Sequence, residues 1–276
     1  MESAFSIQHS AIVFLKLGGS LITDKTRVEH ARPRTLRRLA REIKFALDNQ
    51  PDLKLVLGHG SGSFGHVAAK KYGTREGVTD QSGWRGYAEV AAAAARLNQI
   101  VTDALIDAGV PAVSLPPSAS ARCEDGRLTY LDTFGVQAAL AHDLVPLVYG
   151  DVALDSVRGA TIVSTEDVFD YLAREIEPRW MLLAGEVAGV YPSAAMTGRV
   201  IETITPSTLE QYVGALGGSH GTDVTGGMIG KVRQMLDLVQ RQPHVAARIF
   251  SGARTGIVQQ LLIDPTLKIG TEVRHD

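Results

Sequence analysis

Apolar positions along this chain fall into two rhythms. Short, nearly continuous runs read as strands buried on both faces of a parallel sheet: Ala11–Leu17, Leu53–Leu57, Pro111–Leu115, Asp143–Tyr149, Arg179–Ala184 and Val245–Phe250. Between them the spacing turns helical. Leu36, Leu39, Ile43 and Leu47 mark one face of a helix over Pro33–Asn49, with proline in its first turn. Further helices are predicted from Val67, over Trp84–Ala108, Leu131–His142, Val168–Ile176 and Pro206–Val213, and around Lys231. Ser164-Thr165-Glu166-Asp167 caps the Val168 helix, and Val152–Asp155 with Ala160–Val163 form a hairpin. A looser stretch, Gly73–Gly83, reads as a mobile cover, and Gly214–Gly227 is glycine-rich. The 276 residues fit one large α/β domain with two lobes, 1–177 and 178–276, meeting at Pro178.

Small-residue turns recur where the predicted strands end. The fullest is Gly58-His59-Gly60-Ser61-Gly62-Ser63-Phe64-Gly65-His66, between strand and helix. Such a turn lets backbone N–H groups converge on an anion, and the helix start adds partial positive charge. His59 and His66 bracket it, and either is placed to hold a phosphate oxygen; the bland alternative is a tight turn with two surface histidines. The same residues spell G-x-G-x-x-G through Gly60, Gly62 and Gly65, the dinucleotide fingerprint. That reading ranks lower, because no clear strand with an acidic end follows the helix and His66 would crowd a pyrophosphate.

A second turn, Gly18-Gly19-Ser20, ends the first strand, and Gly150-Asp151 ends the Asp143 strand. Three strand ends pointing one way define a site in an open parallel sheet. Lys16 lies inside the first strand, where a lysine is costly unless it points at that site or snorkels from an edge. Lys25 follows the turn. Gly230-Lys231 is no P-loop, since Val232 stands where Ser or Thr is required.

Composition narrows the choice only a little. A formal charge of −2 with 21% charged residues argues against nucleic acid or a membrane surface as the main partner. The single Cys123 forms no internal disulfide and suits a reducing compartment. No apolar run approaches membrane-spanning length, and Ile12–Leu15 is too short for a secretory leader, so a soluble cytoplasmic protein is expected.

Taken together, Lys16-Leu17-Gly18-Gly19-Ser20 with Lys25, the His59–His66 turn, Tyr149-Gly150-Asp151, and Asp223–Met228 with Lys231 resemble the amino acid kinase superfamily. Within it they are similar to the isopentenyl phosphate kinases. The resemblance spans residues 16 to 231 and implies a three-layer α/β sandwich with a mostly parallel central sheet. It implies ATP on the C-terminal lobe, Mg²⁺ carried mainly by the ATP phosphates with no protein metal ligand assigned, and a homodimer. The implied acceptor is isopentenyl phosphate, with dimethylallyl or geranyl phosphate as alternatives.

By that pattern His66, Lys25 and Lys16 are catalytic. His66 holds the acceptor phosphate with Gly60, Ser61, Gly62 and Gly65, and Gly150, Asp151 and Thr165 complete the acceptor side. Lys16 with Gly18, Gly19 and Ser20 approaches the ATP phosphates. Ser61, Glu166, Gly185, Gly226, Gly227 and Lys231 serve the nucleotide side. Tyr87, Val90 and Ala94, at i, i+3 and i+7 of one helix, would line the prenyl tail, with Tyr87 as its stop; the alternative is ordinary core.

Three positions depart from the pattern. Ser61 replaces a usual glycine, Glu166 replaces an organising aspartate in Ser164–Asp167, and Gly185-Glu186-Val187-Ala188-Gly189 stands where Thr-Asp-Val-Asp-Gly is usual. Two rivals remain. A fosfomycin kinase would share the glycine turn with its Gly-His pair but want a polar pocket. A non-catalytic oxyanion- or nucleotide-binding member of the fold would have no need for Lys16, Lys25, His66 and Lys231.

Overall fold

The computed structural model describes residues 12–193, 196, 198–212 and 227–276, with the backbone but not the side chain of residue 66. Its strands are β1 (Ile12–Leu17), β2 (Lys54–His59), β3 (Ala112–Ser114), β4 (Arg122–Glu124), β5 (Arg127–Tyr130), β6 (Val145–Tyr149), β7 (Asp151–Asp155), β8 (Gly159–Val163), β9 (Trp180–Gly185), β10 (Thr203–Ile204), β11 (Ala246–Ser251) and β12 (Thr271–Val273). The helices are α1 (Gly19–Ile22), α2 (Pro33–Asn49), α3 (Gly62–Tyr72), α4 (Gln81–Asp107), α5 (Phe134–Ala141), α6 (Thr165–Ile176), α7 (Gly227–Arg241) and α8 (Ile257–Ile263).

Eight strands form one sheet in the order β10-β12-β11-β9-β1-β2-β6-β3. Six of them run parallel; β12 runs against β11, and β10 follows β12. At the centre, β1 pairs with β2 on one side and β9 on the other, and all six of its residues are buried. Its alternation sends Ile12 and Phe14 into a core under α5, α6 and α7. Val13, Leu15 and Leu17 enter the opposite core, under α2, α4 and α8. Helices therefore cover both faces, and the apolar runs of the sequence are explained by double burial.

A smaller sheet, β5-β4-β7-β8, branches off where Gly150 alone separates β6 from β7. Its β4–β5 hairpin is not among the elements expected above, although its signal is local: Asp125-Gly126, with φ of 48° and 81°, supplies the left-handed pair a two-residue hairpin turn needs. Leu131–His142, expected as helix throughout, becomes helical only at Phe134, whose N–H is held by Asp132 Oδ1 at 2.9 Å.

Other boundaries moved for identifiable reasons. β2 runs two residues past Leu57 because Gly58 and His59 stay in register with β1 and β6. Helix α3 then begins at Gly62 rather than Val67, so the glycine turn itself is only Gly60-Ser61. α4 starts at Gln81 because the Asp80 carboxylate caps it, accepting the Gly83 N–H at 2.7 Å. α3 leads into α4 with no strand between, and Gly86 leaves room for the Tyr72 ring: an added Cβ would lie 2.3 Å from it. The helix expected over Pro206–Val213 runs out of the described residues after 212, and the Gly214–Gly227 loop lies outside them up to 226.

Gly58 sets the height of α6 over the sheet. A Cβ there would meet Thr165 Cγ2 at 2.5 Å and the Phe169 ring at 2.7 Å. Gly58→Val should therefore destabilise the protein by about 1–3 kcal/mol through overpacking. Gly185→Ala, whose added carbon meets nothing nearer than 3.9 Å, should stay within about 0.5 kcal/mol. Urea denaturation of both variants checks this; equal midpoints would mean that α6 does not depend on the missing side chain.

Candidate active site

Parallel pairing brings the carboxyl ends of β1, β2, β6 and β9 to one edge of the sheet. The ladder continues one residue beyond the strands through glycine amides. Gly18 N–H donates to Ala184 O at 2.8 Å, Gly60 N–H to Leu17 O at 3.0 Å, and Gly150 N–H to His59 O at 3.2 Å. Two of the resulting turns then abut. A Cβ on Gly19 would lie 2.5 Å from the Gly62 nitrogen, and one on Gly60 would lie 2.9 Å from the Gly19 nitrogen. Only glycine allows that approach.

The turns open into a cavity of about 1580 Å³, beyond the usual ~300–1,000 Å³ of a single small-molecule pocket. Lys16, Gly18, Gly19 and Ser20 line it from the β1 end, and Gly60, Ser61, Gly62 and Gly65 from the β2 end. Gly150, Asp151, Thr165 and Glu166 form a third wall, and Gly185 and Lys231 a fourth. Lys25, exposed on the loop after α1, also reaches it, as do Val90 and Ala94 of α4.

Lys16 is no edge lysine. Strand parity points it the same way as Ile12 and Phe14, toward α6, where it forms a buried ion pair with Glu166. A reciprocal cap starts α6: Ser164 Oγ accepts the Asp167 N–H at 3.1 Å, and Asp167 Oδ2 accepts the Ser164 N–H at 2.8 Å. Thr165 OH donates to His59 O at 2.7 Å and locks the helix start against β2. Glu166 thus sits in the first turn, where the helix dipole favours an anion.

Burial lowers the Lys16 pKa, with the nearby Lys231 charge adding to the fall and Glu166 opposing it. For Glu166 burial pushes upward, but the Lys16 and Lys231 charges prevail and hold the carboxyl below its ordinary range. Three charged groups are therefore mutually dependent, with Glu166 paired to Lys16 and both under the influence of the Lys231 charge. Asp151, at the start of β7, has its pKa raised by burial despite hydrogen bonds from the Ser118 and Val152 N–H groups at 3.2 and 2.8 Å.

The two bracketing histidines part company. His59 pairs with Leu17, so it points to the α4 face, opposite to Lys16 and its neighbour Gly58. It is fully buried, stacked on Tyr149 at 5.3 Å, with Nδ1 3.2 Å from Gly60 O and Nε2 3.3 Å from the Asn98 side chain. It does not reach an anion in the cavity, contrary to the sequence expectation. His66 lies in α3, and its side chain falls outside the described residues.

Some further expectations differ. Tyr87 does not line the cavity; it is half-buried, its ring edge-on to Trp84 at 5.9 Å. Gly227, at φ 63°, opens α7 without lining the wall, and Gly226 lies outside the described residues. Sequence reading passed over Val28, Val67, Lys70 and Arg75, all on the cavity wall. Val67 and Lys70, three apart on α3, carried a helical-face signal; Val28 carried none. Glu186, in one of the departing segments, lines the rim and pairs with Arg32 at 2.7 Å. Among the described residues no group of three His, Cys, Asp or Glu is gathered for a metal, and no helix is long and apolar enough to cross a membrane.

Residues 11–251 match the profile of the amino acid kinase family. The isopentenyl phosphate kinase of Methanothermobacter thermautotrophicus is 35% identical, over 95% of this chain and 97% of that protein. The isopentenyl phosphate kinase of Methanocaldococcus jannaschii is 33% identical, over 95% and 98%. A solved isopentenyl phosphate kinase structure superposes with a TM-score of 0.79 at 31% identity, covering 95% of this chain and 99% of that one.

Burial of His59 pushes its pKa down from 6.5 to about 4, although its two hydrogen-bond partners oppose the fall. As pH drops, the unfolded chain takes up this proton first. The contribution to stability is therefore whole above pH 6.5 and is lost as pH falls toward about 4, amounting to roughly 3 kcal/mol. In an NMR titration the His59 ring should stay neutral near pH 6. A midpoint at an ordinary histidine value would show that the ring is solvated.

Proposed function

Because the chain belongs to the amino acid kinase family, we infer that it transfers the γ-phosphoryl group of ATP to isopentenyl phosphate, giving isopentenyl diphosphate and ADP. The observation that carries this reading is the meeting of two glycine turns in one two-ligand cavity with an apolar wall at Val90 and Ala94. The acceptor side is the Gly60–Gly62 turn, Gly65 and His66, with Gly150, Asp151 and Thr165 beside it. The nucleotide side is the Gly18–Ser20 turn, Gly185 and Lys231.

The chemistry asks for little beyond positioning and charge. A phosphate monoester has a second pKa of about 6 and is largely dianionic at neutral pH. Its oxygen attacks the γ-phosphorus, the new P–O bond forms, and the bond to the β-phosphate bridging oxygen breaks, leaving ADP. No general base is required. The obstacle is repulsion between two polyanions, met by cations and oriented N–H groups around a loose transition state. Lys16, Lys25 and Lys231 supply the charge; Glu166 keeps Lys16 protonated and aimed. The lysines and amides in the cavity suit a nucleotide that carries its own Mg²⁺ on its phosphates, where the ion would neutralise part of the charge.

A coupled ADP-release assay tests the reading, with isopentenyl phosphate, dimethylallyl phosphate, fosfomycin and acetylglutamate as acceptors. Turnover should be highest with a prenyl phosphate; a preference for fosfomycin or acetylglutamate, or no turnover, overturns it. Ala94→Phe should lower kcat/KM for geranyl phosphate more than for isopentenyl phosphate. The effect should be graded, since each buried methylene is worth only about 0.8 kcal/mol. An unchanged ratio would place the tail elsewhere.

Glu166→Gln should move the alkaline limb of kcat/KM to lower pH. Glu166 opposes the lowering of the Lys16 pKa, so removing its charge lets Lys16 lose its proton earlier. A limb at its wild-type position would separate Lys16 from the rate.

A further inference from the structure

Thr23 follows α1 and is completely buried. Its hydroxyl donates to Gly19 O at 2.7 Å and accepts the N–H of Ser63 at 2.9 Å. The first bond alone would be unremarkable, since a threonine often bonds the carbonyl four residues back. The second comes from a residue 40 positions later, in the first turn of α3. One hydroxyl therefore ties the turn after β1 to the turn after β2. Gly62 is shaped around it: φ is 51°, and a Cβ there would lie 2.1 Å from Thr23 Oγ1.

Ser63 extends the tie to a third element. Its hydroxyl accepts the His30 N–H at 3.1 Å, and its carbonyl accepts the Glu29 N–H at 3.2 Å. Asp24 N–H closes the same loop on His30 O at 2.8 Å. Lys25 stands inside that loop. The two phosphate turns and the loop carrying Lys25 are thus fastened at a single node; Ser63 lines the cavity, whereas Thr23 lies behind its wall.

Resting on the phosphotransfer reading, we propose that Thr23 is a positioning residue that fixes the separation of the two phosphate turns. Its hydroxyl then governs the rate of transfer rather than the affinity for either ligand. Displacing reacting groups by about 1 Å can cost on the order of 10²-fold in rate, whereas each turn by itself still offers its N–H groups to a phosphate.

Thr23→Val removes the hydroxyl and keeps the shape; Thr23→Ser keeps the hydroxyl. In Thr23→Val, kcat should fall about 10-fold or more, with both KM values within about 3-fold. Thr23→Ser should recover most of that loss. Thr23→Ala, smaller than the native side chain, gives the same reading if the valine methyl disturbs folding. Hydrogen exchange at the Ser63 amide should speed up in the valine and alanine variants and not in the serine one.

Wild-type kcat in Thr23→Val, a loss confined to KM, or equal losses in the serine and valine variants overturns the proposal. If the unsubstituted protein does not phosphorylate isopentenyl phosphate, the functional reading fails by itself. The Ser63 exchange pattern then still decides whether Thr23 holds the turns together: protection unchanged in Thr23→Val refutes it.

Discussion

Between Gly19 and the Gly60–Gly62 turn there is no space for one more carbon atom. Everything in the site follows from that contact of backbone on backbone. On the proposed reading, two cradles for polyanions have to stand close enough for one phosphorus to pass between them, and side chains at the junction would force them apart. Parallel pairing supplies the direction, since β1, β2, β6 and β9 all end at the same edge. Glycine supplies the closeness, at the expense of chain entropy that the buried sheet has to offset.

Charge is arranged around this junction with equal economy. Parity along β1 and β2 sorts the polar side chains onto two faces. Lys16 goes to the α6 side, where a capped helix start presents Glu166, while His59 goes to the α4 side and is held neutral by burial. A buried ion pair of this kind contributes little net stability, yet removing one partner costs about 3–5 kcal/mol. Such a pair is better understood as a device that keeps a cation aimed and charged inside the protein. The replacement of an expected aspartate by Glu166 leaves that device intact, since the carboxylate still pairs with Lys16 and feels the Lys231 charge.

Much of this was legible in the chain because it rests on local rules. Uninterrupted apolar runs identified a doubly covered parallel sheet, and Pro33–Asn49 matches α2 to the residue. Small residues after strands pointed to the edge of that sheet where the cavity opens. What stayed hidden depends on contacts across the fold. Nothing near Thr23 announces a partner 40 residues away. His59 and His66 look alike until the pairing Leu17↔His59 fixes which face the first one takes. Tyr87 shares a helical face with Val90 and Ala94, but the wall of the cavity ends before it. The Asp125-Gly126 hairpin is a different case: its signal is local, a pair of residues suited to a left-handed turn.

The order of the large sheet has a bearing on how the protein behaves in a crowded solution. Among the described residues, its six-residue strands β1, β2, β9 and β11 lie inside, and its two margins are β10, with two residues, and β3, with three. An exposed strand margin is a template on which another chain can build, and the longer it is, the better the template. Margins this short offer a passing strand too few free amides and carbonyls to hold it. The most adhesive surface a parallel sheet possesses has been reduced to a few residues at each end, which leaves the long central strands free to be as apolar as their double burial demands.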